Sequence, residues 1–212
     1  PHSRLFGPMT VSSGEGGGDD LLFYLAGYRC LAQRVPEESR SPQGPAFLPS
    51  RFAADAAPQS GTAYLITCSG SRLPAALMER LEELTGHEVL CDIPSVEPIG
   101  PKGLLDILVV SPATGNTVAK LAAGITDTAV TMAVKAHLRN GRPVVIAMAS
   151  NDGLAAGARN IGELLVRRNY YFVPFGQDNP EGKPSSLVAD FSRIPETVDA
   201  ALRGEQLQPV LL

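Results

Sequence analysis

Cysteine is scarce in this chain of 212 residues: the three present, Cys30, Cys68 and Cys91, are odd in number and far apart. They form no C-x-x-C pair and keep no zinc spacing with His2, His87 or His137, so neither a disulfide framework nor a metal site is legible. Each reads as a reduced, inert thiol, which fits a cytoplasmic setting. A basic surplus is lacking too. Lys and Arg number 18 against 22 Asp and Glu, a net charge of −4, which argues against a nucleic-acid groove spread over the surface. No apolar run approaches the roughly 18–20 residues that cross a bilayer. The longest early one, 21–26, follows no basic segment of the kind that opens a signal peptide. HExxH, P-loop and GxSxG signatures are absent, and no G-x-G-x-x-G follows a strand. Nicotinamide dinucleotide binding by this chain alone is therefore disfavoured, and no residue stands out as a general base or nucleophile.

What is present divides at about residue 60. Residues 1–60 open on Pro1 rather than Met, carry the glycine-rich run Gly14-Glu15-Gly16-Gly17-Gly18, and then place Pro36, Pro42, Pro45, Pro49 and Pro58 at short intervals. One short amphipathic helix fits within 21–35; the rest reads as a poorly ordered, irregular stretch. Residues 61–212 have a βα rhythm. Strands are expected at 64–67, 104–110, 143–149 and 170–174, and helices at 74–84, 116–122, 127–138, 155–168 and 195–202. Gly86 and Gly204 follow two of these helices as C-caps. Strands alternating with helices through short loops predict an α/β domain, a parallel sheet in three layers. The apolar content of 44% is enough for its core.

Function concentrates at one run. Asp106-Ile107-Leu108-Val109-Val110 reads as a buried parallel strand, and Ser111-Pro112-Ala113-Thr114-Gly115-Asn116-Thr117 as its turn into a helix. Carboxyl ends of parallel strands are where open α/β sheets place ligands, and helix N-termini favour anions. Ser111 and Thr117 could donate to a phosphate, Gly115 would allow close approach, and Asn116 both donates and accepts. The alternative is a ligand-free helix start capped by Thr114 or Asn116. At the next turn, Thr126 or Asp127 reads as an N-cap. Ser150-Asn151-Asp152-Gly153 ends the third strand with ordinary turn chemistry. Segment 172–177 reads either as an apolar and amide wall for a planar ligand or as a strand end. Lys135 and His137 read as a solvated or partly buried helix face.

From about residue 71 to the end the chain resembles the B subunits of dipicolinate synthase, within the flavoprotein superfamily that includes the flavin-containing cysteine decarboxylases. The resemblance rests on Leu81-Glu82-Glu83-Leu84-Thr85-Gly86, Val96-Glu97-Pro98-Ile99-Gly100-Pro101-Lys102 and the run Ser111 to Lys120. It rests as well on segments 132–141 and 171–178 and on the tail Gln206-Leu207-Gln208-Pro209-Val210. It implies a Rossmann-like, flavodoxin-like fold, FMN as cofactor, and self-association. It also implies a partner A subunit carrying the nicotinamide cofactor, NAD or NADP. Together the two would oxidise a dihydrodipicolinate-type dicarboxylate to dipicolinic acid in the mother cell of a sporulating bacterium. By the same resemblance Ser111, Thr114, Gly115, Asn116 and Thr117 stand at the superfamily's Pro-Ala-Ser-Ala-Asn-Thr motif for flavin and substrate. Asn151 stands near its second asparagine motif, so Asn116 and Asn151 face flavin edge or substrate. Thr126 and Asp127 match its Gly-x-x-Asp flavin loop. The family's Thr-Gly-Ser-His-Cys loop has no counterpart here, which marks residues 1–60 as a diverged extension or the product of a shifted reading frame. A flavin-free partner of the A subunit and a flavin-dependent decarboxylase are the competing functions.

Overall fold

The computed structural model describes residues 64–67, 90 and 92–212. The expected helix at 74–84 and everything expected of residues 1–60 lie outside them. In chain order the elements are β1 (Tyr64–Thr67), α1 (Ile93–Val96), β2 (Ile107–Ala113), α2 (Gly115–Ala123), α3 (Ala129–Leu138) and β3 (Val144–Ser150). Then come α4 (Ala158–Leu165), β4 (Tyr170–Phe172), β5 (Phe175–Gly176), β6 (Leu187–Ala189) and α5 (Ile194–Leu202), with 3-10 turns at Glu97–Ile99 and Phe191–Arg193.

The apolar runs form the sheet's centre, as their composition requires. All seven residues of β2 are buried and six of seven in β3, which needs cover on both faces. Helices α2 and α4 pack on each other and on β3 and β4, α3 lies against β2 and β3, and α5 spans β2, β3 and β4. The result is the expected α/β layering. Strand β2 runs parallel to β1, with Tyr64 opposite Ile107, and parallel to β3, with Leu108 opposite Val144.

The far edge of β3 is shared between two partners. Its first half pairs parallel with β4, Val144 opposite Tyr170, while its last two residues pair antiparallel with β6, Ser150 opposite Leu187. Strand β5 pairs antiparallel with β6. The sheet is thus mixed, not wholly parallel. The expected strand 170–174 splits because Pro174 has no N–H to give a ladder, and the chain re-enters the sheet as β5. Its carbonyl accepts from Asp190 N at 2.8 Å instead.

Three further expectations shift. The second strand begins at Ile107 and continues through Ser111 and Pro112 to Ala113, with a register break between Val110 and Ala113. Ser111 therefore lies inside a strand, not in the turn after it. The fourth helix is shorter than expected: residues 151–157 form turns, since Ala155 N and Gly157 N both donate to Asp152 O at 2.9 and 3.0 Å. Helix α3 starts one residue beyond Thr128, which caps it reciprocally with Thr131; neither Thr126 nor Asp127 caps it.

Candidate functional site

Strands β2 and β3 end side by side, and β2 feeds straight into α2. Thr114 is the N-cap of α2 in extended conformation, with no side-chain cap bond. The first main-chain bond of the helix runs from Val118 N to Thr114 O at 3.0 Å. The amides of Gly115, Asn116 and Thr117 are therefore not used by the helix, and they carry the positive end of its dipole. Asn116 is exposed and Thr117 buried. Just before them, Ser111 is 1% exposed and its hydroxyl has no hydrogen-bond partner. Leaving such a group unpaired costs about 1–3 kcal/mol, so it is a place where a ligand atom would be welcome.

From the end of β3 and the turn after it come Ser150, Asn151 and Asp152. Ser150 Oγ donates to Asp152 Oδ1 at 2.5 Å, while Asn151 and Asp152 are exposed. A Cβ on Gly115 would lie 2.6 Å from Ser150 Oγ and 2.7 Å from Asp152 Oδ1. The close neighbour of Gly115 is thus the Ser150–Asp152 pair of the protein itself. In the sequence Ser150 and Asp152 read as ordinary turn residues, because a serine and an aspartate in a turn carry no further signal until β2 and β3 are neighbours. Ser186, one residue before β6, is a second buried hydroxyl without a partner.

The structure thus gathers Ser111, Thr114, Gly115, Asn116 and Thr117 at the end of β2, with Asn151 on the neighbouring strand end. Thr126 and Asp127 follow Gly124 beyond the last turn of α2. Asp127 pairs there with Lys120 at 2.9 Å, more than one helical turn along from Gly115.

His137 is completely buried, against the expectation of a solvated or partly buried face. Its Nε2 donates to Pro143 O at 3.0 Å and its Nδ1 has no partner. Burial lowers its pKa to about 4, the Pro143 bond opposes this, Arg142 adds to it and Asp106 opposes it, so the ring is neutral. It sits at the amino end of β3, a strand length from Ser150. Phe172 and Phe175 are core residues with ring centroids 5.9 Å apart, and Gln177 Nε2 donates to Pro184 O at 2.8 Å. Among the described residues no helix is long and apolar enough to cross a membrane.

Residues 63–164 match the model of the family described as Flavoprotein. The chain is 45% identical over 138 residues to the B subunit of dipicolinate synthase from Bacillus subtilis (strain 168), covering 65% of this chain and 69% of that protein. The crystal structure of the dipicolinate synthase B subunit from Bacillus halodurans superposes with a TM-score of 0.65 at 40% identity, covering 71% of this chain and 81% of that one. An FMN-dependent cysteine decarboxylase gives a TM-score of 0.49 at 25% identity over 66% of this chain and 79% of its own. On sequence and fold together, the chain belongs to the flavoprotein family, alongside the B subunits of dipicolinate synthase.

Proposed function

We propose that this protein is the B subunit of a two-component dipicolinate synthase, with FMN and a dihydrodipicolinate-type dicarboxylate held at the ends of β2 and β3. One observation carries the reading: α2 starts without a side-chain cap four residues after Ser111, whose fully buried hydroxyl the protein leaves unpaired. A polar group of that kind is satisfied when a ligand arrives. These residues fit a phosphorylated, hydrogen-bonding cofactor. Ser111 and Thr117, with the amides that open α2, would hold the phosphate, and Thr114 and Gly115 shape the turn. Asn116 and Asn151 face the flavin edge or a substrate carboxylate, and Thr126 with Asp127 form the flanking flavin loop. When bound, the flavin supplies the redox chemistry. The side chains here orient it and its substrate, since no general base or nucleophile lies among them. NAD or NADP comes with the A subunit, the present chain self-associates, and the pair works in the cytoplasm of the mother cell.

Titration of the purified chain with FMN, followed by fluorescence quenching, tests this. Saturable quenching is expected, weakened about tenfold in Asn116→Ala by loss of a polar contact. If no quenching occurs alone or with the A subunit added, the flavin assignment is wrong and the chain is a flavin-free partner.

A further inference from the structure

We propose that Ser150 and Asp152 are positioning residues, a brace on β3 that sets where the turn at 114–117 stands and so governs ligand binding there without touching the ligand. Both ends of Asp152 are fixed. Its main-chain O accepts from Ala155 N and Gly157 N at 2.9 and 3.0 Å. Its carboxylate accepts from Ser150 Oγ at 2.5 Å, and its own N–H donates back to that hydroxyl at 3.4 Å. Ser150 in turn is 9% exposed and anchored in the sheet opposite Leu187.

Gly115, the first residue of α2, is seated directly on this pair: an added Cβ would stand 2.6 Å from Ser150 Oγ and 2.7 Å from Asp152 Oδ1. Gly157 closes the other side, where a Cβ would meet Asp152 O at 2.8 Å. The contact with Gly115 is steric and electrostatic. Asp152 enters no ion pair among the described residues, and its charge faces the positive end of α2. Both turns are thereby made one rigid unit. Displacing a turn by even an ångström misplaces groups that must meet a ligand.

Two readouts test the brace. Deuterium exchange of the 114–121 segment in the free protein does not depend on any ligand. FMN affinity rests on the function proposed above. Ser150→Ala and Asp152→Ala should speed exchange in that segment about tenfold while α3 and α5 stay unchanged, and weaken FMN binding about tenfold. Asp152→Asn keeps an oxygen for Ser150 to donate to, so it should stay within about threefold of the natural protein. Gly115→Ala should weaken binding about tenfold alone but under about threefold in the Ser150→Ala background, where the freed carboxylate can turn away. Unchanged exchange at 114–121 in both alanine variants, or a rise spread evenly over the protein, overturns the proposal. So does an affinity loss that merely tracks global stability. If the natural protein binds no FMN, the functional reading fails while the exchange data still decide the brace. Should Asp152→Ala not fold, Ser150→Ala carries both measurements.

Discussion

His137 shows what one buried side chain does to the whole protein's response to acid. Its ring is held neutral, with a pKa of about 4 against an ordinary 6.5. Between those values the unfolded chain binds a proton that the folded chain refuses. Stability is therefore complete above about pH 6.5 and falls as the pH drops toward 4, by on the order of 3 kcal/mol from this group. His137→Gln, which keeps a donor for Pro143 O, should flatten that part of the curve in urea denaturation run from about pH 4.5 to 7.5. Two glycines give opposite expectations. A Cβ on Gly100 would lie 2.5 Å from Ala136 O, a main-chain atom of α3 that cannot give way. Gly100→Ala should cost about 2–3 kcal/mol. Gly162, inside α4, has nothing within 4 Å of its would-be Cβ. There Gly162→Ala should add about 0.5–1 kcal/mol by limiting the unfolded chain. Midpoints of urea unfolding decide both signs.

At the scale of elements, distant side chains finish what short helices and strands leave open. Helix α2 ends on Gly124 at φ +73°, and Arg167, just past α4, donates to the last carbonyls of α2: Leu121 O at 3.3 Å and Ala122 O at 2.7 Å. Arg167→Ala should cost about 1–2 kcal/mol. Glu163→Gln, which removes only its surface ion-pair partner, should cost under about 1 kcal/mol. Strand β4 has three residues, and the amide of Gln206 acts as its second neighbour, accepting from Phe172 N and donating to Phe172 O, both at 2.7 Å. The tail adds a single parallel bridge, Phe175 opposite Leu211, with Phe175 N donating to Val210 O and Leu212 N to Phe175 O, each at 3.0 Å. Gln206→Ala leaves two main-chain groups of a buried residue unpaired. A loss of about 2–3 kcal/mol is expected in thermal or urea unfolding.

For the molecule as a whole, a ligand seated at the ends of β2 and β3 must stabilise the fold. At about 100 times its Kd, FMN should add about 2.7 kcal/mol, read as a rise in Tm of several degrees that Asn116→Ala diminishes. Much of the architecture was legible from residue order. The runs 104–110 and 143–149 are too uniformly apolar to be half-exposed, and they became the central strands Ile107–Ala113 and Val144–Ser150, the first reaching three residues into what read as a turn. Helices α2, α3 and α5 fall within two residues of their expected bounds, because caps and apolar spacing act over one or two turns. These local patterns, with the motif from Ser111 to Lys120, were enough to place the chain among flavoproteins. Nothing local announced that β3 would divide its far edge between β4 and β6, since strands of two or three residues carry almost no periodicity. Nor did any local pattern announce that His137 would be sealed from water, or that Gly115 would rest on Ser150 and Asp152. Such features join residues far apart in the chain. Their energy exists only once the sheet is assembled and close packing brings those atoms within reach.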